Sequence, residues 1–328
     1  MKLSGISQAI HRHRDFSLLL AVLLLLLITL LRPTISLPQD HHNLLVVVDI
    51  SQSMNAMDMT LEGKPVSRIV YTRKLLHDVV SSMPCGTRFG LSFFAGVSTV
   101  LQYKPIEVCE NYNAIQDNIA HLEWRMAWSG NSRLRQGAQS IASLALSLRE
   151  PTQILFLTDG EEAPRLNALN TLDLTGFQGG KDWVVIGIGS ARGAPIPKYD
   201  ETNKLLGYWS SESFDIQQGG LRIAQETFRV DKDSVAEIES LRHISRLDET
   251  YLKNYTQEIG GTYVRGDNVF EVLSAINNMP PARRDIVPIH LDRWLATLAG
   301  TLLLSEFVTR RPLHYVTRQF KRMVRRNG

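Results

Sequence analysis

Leu44-Leu45-Val46-Val47-Val48-Asp49-Ile50-Ser51-Gln52-Ser53 is the stretch on which the fold turns. An unbroken run of Leu and Val from Leu44 to Val48 reads as a short parallel strand buried on both faces. The polar residues begin where the strand ends. In an open parallel sheet, ligands bind beyond the carboxyl ends of the strands. Asp49, Ser51 and Ser53 therefore stand where a binding site is expected.

Outward from this strand, buried strands alternate with amphipathic helices. Ser67 to Met83 carries Ile69, Val70, Leu75, Leu76, Val79 and Val80 at helical spacing. Phe89 to Ala95 reads as a second strand, with Val97 to Tyr103 as its hairpin partner after Gly96. Tyr112 to Leu122 and the small-residue-rich Leu134 to Leu148 read as helices. Gln153 to Leu157 and Trp183 to Ile188 are further buried strands, followed by a last strand, Thr262 to Arg265, and a last helix, Val269 to Met279. This rhythm predicts an α/β fold, a doubly wound and mostly parallel sheet built from right-handed crossovers. Between Ser190 and Glu249 the rhythm breaks at Pro195, Pro197, Gly207, Gly219 and Gly220, with a possible strand in Leu221 to Val230. We read residues of about 190–249 as a rim insertion within one domain spanning 42–280.

Three loops are candidates to meet at one edge of that sheet. They are Asp49 to Ser53, Ser129-Gly130-Asn131-Ser132, and Thr158-Asp159-Gly160-Glu161-Glu162. Carboxylates and hydroxyls are hard oxygen donors, suited to a hard divalent cation held by about six oxygens, several of them water. Asp49, Ser51 and Ser53 are alternate residues of one loop, Asp159 approaches from a second strand end and Ser132 from a helix start. One coordination position is left for an outside carboxylate. The competing readings are ordinary: a turn or cap for Asp49 and Ser51, a turn for Asp159-Gly160, and a helix cap for Ser132.

The first loop resembles the DxSxS motif of von Willebrand factor A domains, and the third is similar to that family's aspartate loop. The second resembles its threonine loop, with Ser132 in place of the usual threonine, and with Asn131 and Arg135 where glycines are common. The resemblance covers about Asn43 to Met279. It implies a Rossmann-like von Willebrand A fold and a metal-ion-dependent adhesion site made by Asp49, Ser51, Ser53, Ser132 and Asp159. The implied ion is Mg²⁺, with Mn²⁺ or Ca²⁺ as alternatives, and the implied ligand is a partner protein that presents a carboxylate. Ser53-Met54, Asp58, Gly90-Leu91, Phe94-Ala95-Gly96 and Gly260-Gly261-Thr262-Tyr263 are similar to membrane-anchored bacterial proteins of the aerotolerance (Bat) type. The segments Glu123 to Trp128 and Pro195 to Lys198 are similar to accessory proteins of methanol dehydrogenases. Such relatives imply work alongside a MoxR-type AAA+ ATPase. Trp124 and Trp128 read either as an exposed partner patch or as core aromatics.

Of 328 residues, 44% are hydrophobic and 21% charged, which allows a packed core and argues against global disorder. The net charge of +3 is too small to suggest nucleic acid, and no nucleic-acid partner is expected. The basic residues cluster at the ends: Lys2, Arg12 and Arg14, then Arg310, Arg311, Arg318, Lys321, Arg322, Arg325 and Arg326. Each basic end abuts an apolar run, Phe16 to Leu31 or Trp294 to Phe307. Residues 1–38 read as a cytoplasmic start and uncleaved signal anchor, with a cleaved signal peptide as the rival. Residues 286–309 read as a second transmembrane helix, with a buried or interfacial helix as the rival, and 310–328 as a basic cytoplasmic tail. Flanking transmembrane helices with basic outer ends place the domain on the periplasmic side of a bacterial inner membrane. Cys85 and Cys109 are the two cysteines, and an exported domain permits a disulfide between them, with two free thiols as the alternative.

The expected function is a non-enzymatic, membrane-tethered binding module that assembles or matures an envelope complex. A metal-dependent hydrolase is the second reading, although the chain has no G-x-S-x-G elbow, H-E-x-x-H helix or P-loop. A scaffold with a degenerate metal site is the third.

Overall fold

The computed structural model describes residues 3–163, 166, 171–174, 176–177, 179–209 and 243–310. The possible strand at 221–230 and the basic tail beyond 310 lie outside the described residues. The chain forms two compact units, Asp40–Arg284, and Met1–Gln39 with Asp285–Gly328.

The helices are α1 (Leu3–Leu30), α2 (Arg68–Ser82), α3 (Tyr112–Ala120), α4 (Leu134–Ser147), α5 (Glu249–Glu258), α6 (Val269–Asn277) and α7 (Asp292–Arg310). The strands are β1 (Thr34–His41), β2 (Asn43–Asp49), β3 (Met59–Leu61), β4 (Lys64–Val66), β5 (Arg88–Ala95), β6 (Ser98–Glu107) and β7 (Gln153–Thr158). They continue with β8 (Trp183–Gly187), β9 (Ala194–Pro195), β10 (Pro197–Tyr199), β11 (Leu205–Tyr208), β12 (Ile244–Ser245), β13 (Thr262–Arg265) and β14 (Arg283–His290).

The larger unit is built on a six-stranded sheet in the order β13-β8-β7-β2-β5-β6. Its first five strands run parallel, and β6 returns antiparallel from β5 at the edge. The sheet is therefore mixed but mostly parallel. Every residue of β2 is buried, as the Leu/Val run requires. Alternation along β2 divides the core in two. Leu44, Val46 and Val48 join one cluster with residues of α2, α3 and α6, such as Leu76, Ile115 and Val272. Leu45 and Val47 join the other with residues of α4 and α5, such as Ala138, Ile141 and Leu252. Helices thus cover both faces, and each fully buried aliphatic side chain contributes roughly 1.5–3 kcal/mol.

Several elements were not foreseen. The hairpin β3–β4 turns on Glu62-Gly63, both at positive φ (51° and 77°), with Leu61 opposite Lys64. This is a two-residue primed turn, and Glu in place of the usual Asn or Asp hid it. Helix α5 follows the insertion directly and is capped by Asp248, whose side chain accepts from the Tyr251 amide at 2.9 Å. Inside the insertion, β10 pairs with β11, and β9 with β12.

In the smaller unit α1 packs against α7. The expected flanking transmembrane helices are not found: among the described residues no helix is long and apolar enough to cross a membrane. The physical reason is composition. The apolar part of α1 begins only at Phe16, after His11, Arg12, His13, Arg14 and Asp15, and falls short of the roughly 20 residues a span needs. Helix α7 contains Asp292, Arg293, Glu306 and Arg310.

Cys85, after α2, is bonded to Cys109, after β6, with 5.3 Å between their Cα atoms. The bond closes the β5–β6 edge hairpin. Gly137 in α4 lies against Phe94 of β5: a Cβ there would stand 2.3 Å from the Phe94 ring. That ring in turn meets Phe156 edge-on, with centroids 5.3 Å apart.

Two stability outcomes follow. Gly137→Ala should destabilise the domain by about 1–3 kcal/mol in denaturant titration, because overpacking outweighs the gain in helix propensity. Replacing both cysteines by serine should cost on the order of 3 kcal/mol in the same titration, with reducing agent reproducing the loss in the unmodified chain.

Candidate metal centre

Parallel pairing of β2 with β7 sets Val48 beside Leu157. The next residues, Asp49 on one strand and Thr158-Asp159 on the other, therefore emerge side by side. The Ile50 amide bonds Phe94 O at 3.0 Å, which ties the first loop to β5 as well. The loop then turns through a short 3-10 segment, Gln52–Asn55.

Backbone hydrogen bonds join all three candidate loops. The Gln52 amide donates to Gly130 O at 2.9 Å, and the Ala163 amide donates to Ser132 O at 2.9 Å. Gly96, at the β5–β6 turn, donates to Asn131 O at 2.7 Å and accepts from the Arg133 amide at 2.8 Å. After Asp159 the chain needs Gly160, whose φ of 77° lies in the left-handed region and whose missing Cβ leaves room for Leu252.

Four of the five candidate residues form one connected cluster. The Ser51 amide donates to Asp49 Oδ1 at 2.9 Å, and the Ser51 and Ser53 hydroxyls lie 3.2 Å apart. The Ser53 side chain stands near enough to Asp159 to favour its ionised form. Thr158 Oγ1 donates to Asp49 Oδ2 at 2.8 Å. Ser132 is buried at the margin of this cluster, where its hydroxyl donates to Glu161 O at 2.7 Å. Among the described residues, its side chain makes no hydrogen bond to Asp49, Ser51 or Ser53. Asp49 and Asp159 are wholly buried. Burial, then the charge of Asp159, pushes the Asp49 carboxyl up to about 7, against the pull of its bonds from Ser51 and Thr158. Burial also raises Asp159; Arg68 opposes this and Glu161 adds to it.

The donor set fits a small divalent cation. Adjacent oxygens of an octahedron with metal–oxygen bonds of about 2.1 Å lie about 3 Å apart, close to the 3.2 Å between the Ser51 and Ser53 hydroxyls. The bonds from the Ser51 amide and Thr158 fix the Asp49 carboxylate from behind, as outer partners of a metal ligand do. A cation would also relieve the repulsion between two carboxylates held out of water. Elsewhere, Cys85, Cys109 and Glu107 come together, but both sulfurs are committed to the disulfide.

The residue that sequence reasoning missed is Arg68. Its side chain is fully buried and donates to Asp159 Oδ2 at 2.6 Å and to both oxygens of Asp58, at 2.9 and 2.8 Å. It bonds Ser245 twice, hydroxyl at 2.7 Å and carbonyl at 3.0 Å. A signal was present: Arg68, Thr72, Leu75, Leu76 and Val79 share the buried stripe of α2. Glu161, already in the third loop, accepts from Ser245 and pairs with His243. Arg135, unexpected for its loop, is used in packing: it reaches Glu258 and Leu172 O at 2.6 Å each. Trp124 stacks at 6.2 Å on Tyr199, while Trp128 is 46% exposed and donates to Ser98 Oγ at 3.1 Å.

Residues 44–162 match the family model of the von Willebrand factor type A domain. A UPF0353 protein of Mycobacterium tuberculosis is 26% identical over 213 residues, which are 59% of this chain and 61% of the relative. One from Mycobacterium sp. (strain KMS) is 24% identical over 274 residues, 78% of this chain and 72% of the relative. The chain thus covers 61% of the length of the first of these curated relatives. Among solved structures, BatB from Bacteroides thetaiotaomicron aligns at 20% identity and TM-score 0.48, over 74% of this chain and 98% of that one. An aerotolerance-related membrane protein from Bacteroides fragilis aligns at 21% identity and TM-score 0.47, over 74% and 98%. The sheet order and the paired strand ends agree with the von Willebrand factor type A match over residues 44–162.

Proposed function

We propose that this protein is a non-enzymatic binding module in which a divalent cation, held by Asp49, Ser51, Ser53 and Asp159 with Ser132 at the margin, captures a carboxylate on a partner protein. The observation that carries the reading is the pair of wholly buried carboxylates beside two serine hydroxyls that lie 3.2 Å apart. Mg²⁺ suits these hard oxygen donors, and Mn²⁺ or Ca²⁺ suit them next. Bound there, the cation supplies a Lewis-acidic position for the partner's oxygen. Asp49 and the serines hold it, Thr158 orients Asp49, and Arg68 holds Asp159. Assembly or maturation of an envelope complex, alongside a MoxR-type ATPase, is the setting that the Bat-like motifs suggest.

The same reading extends to a membrane tether on the inner membrane, with the domain on the periplasmic side. Its support is the apolar surface of the smaller unit: Leu19, Leu23, Leu27 and Leu30 of α1 are exposed, as are Trp294, Leu298 and Leu304 of α7. An apolar face of this kind marks a membrane or partner contact. The disulfide accords with an oxidising compartment.

One observation favours the scaffold reading instead. The guanidinium of Arg68 already neutralises Asp159, as a built-in substitute for a metal would.

Calorimetric titration of the full chain with Mg²⁺ and Mn²⁺ separates the two. The binding module gives a saturable heat that Asp49→Ala reduces at least tenfold in affinity, together with chelator-sensitive capture of a native partner; the scaffold gives no heat. The raised Asp49 carboxyl sets a pH dependence. Its folded value lies above the unfolded carboxylate value of about 3.9, so the metal-free domain binds the extra proton and loses stability as pH rises from about 4 through 7. Thermal melts with chelator should show that loss, Mg²⁺ should remove it, and Asp49→Asn should flatten it.

A further inference from the structure

Arg68 does more than neutralise Asp159. Its fully buried guanidinium joins three parts of the domain that are distant in sequence. One face holds Asp159 Oδ2, beside the metal donors, and lies 3.4 Å from Ser53 O. A second holds both oxygens of Asp58. The third holds the hydroxyl and carbonyl of Ser245 in β12, on the segment that leads into α5.

That segment is tied back to the same place at each step. His243 and Ser245 bond the carboxylate of Glu161. The Leu247 amide donates to Ser190 O at 3.1 Å, and the Asp248 amide donates to Asp159 O at 3.0 Å. The amide and hydroxyl of Ser190 both donate to Asp58 Oδ2, at 2.9 and 3.1 Å. Gly189, at φ 134°, leaves the space the guanidinium fills: a Cβ there would stand 2.8 Å from Arg68 Nε.

We propose that Arg68 is a positioning residue that couples the metal centre to the segment 243–248, so that a divalent cation at Asp49 and Asp159 orders this segment and loosening the segment weakens the cation. The inference rests on the metal reading above and adds regulation to it. The physical basis is a shared carboxylate. A cation that draws on Asp159 takes negative charge from Arg68, which then leans on its remaining acceptors, Asp58 and the two oxygens of Ser245. Weakening Ser245 leaves Arg68 to compete harder with the cation for Asp159. Coupling between bound cation and segment is reciprocal and of equal size in both directions.

Hydrogen exchange of the full chain, with and without saturating Mg²⁺, reads the first half. Peptides covering 243–250 should exchange about fivefold or more slowly with the ion bound. Calorimetry reads the second half: Ser245→Ala, which touches none of the proposed metal donors, should raise the Mg²⁺ dissociation constant about fivefold. In an Arg68→Lys background the same change should add nothing, because the link is already cut. Unchanged exchange at 243–250 in the Mg²⁺-bound wild-type chain overturns the coupling while leaving the metal reading intact. So does an equal Ser245→Ala effect in both backgrounds. Absence of any Mg²⁺ or Mn²⁺ heat overturns the metal reading and the coupling together. If either variant fails to fold, the wild-type exchange measurement decides.

Discussion

Two carboxylates that repel each other are held together out of water by parallel pairing of β2 and β7. Much of the site is arranged around that conflict. The sheet cannot separate Asp49 from Asp159, since each begins where its strand ends. The surroundings compensate instead. Thr158 and the Ser51 amide donate to Asp49, and Ser53, the Glu161 amide and Arg68 serve Asp159. Arg68 is a costly solution, for a buried guanidinium needs nearly all its hydrogens satisfied. Asp58, Ser53 O and Ser245 meet that need.

The strand ends and first-loop donors were legible in the sequence because local chemistry announces them. A Leu/Val run can be little other than a buried strand, and polar residues at its end mark the ligand-facing edge. The β5–β6 hairpin and helices α2 and α4 were legible for the same reason: periodicity is local. Arg68 was not, although its phase on α2 placed it inward. Its partners Asp58, Asp159 and Ser245 are separated from it by 10, 91 and 177 positions, and no window of sequence brings them together. The ladder between β1 and β14 was hidden for the same reason. Ser132 illustrates the opposite case. Its residue type suited the expected role, but its hydroxyl direction depends on where Glu161 O lies, which only the folded chain fixes.

Arg135 shows how a departure from a familiar pattern finds its use. In place of a small residue at the start of α4, a long cation reaches across to α5 and pairs with Glu258 at 2.6 Å. The same Glu258 accepts the Leu174 amide at 2.9 Å. A glycine would remove the ion pair with Glu258 and the bond to Leu172 O, so the arginine changes how α4 and α5 are joined while the neighbouring Ser132 stays buried.

The β1–β14 ladder carries a mechanical consequence. Asp40, near the end of β1, pairs with Arg284, near the start of β14, at 3.1 Å, while Pro33 O accepts the Leu291 amide at the opposite end at 3.0 Å. The two strands are therefore antiparallel, and the chain between them is one long loop closed by this ladder. Tension applied to the two flanks loads this ladder one rung at a time, from its outer end. The six-stranded sheet feels no pull until the last rung opens. The loops at the ends of β2 and β7 therefore stay slack while the ladder is strained.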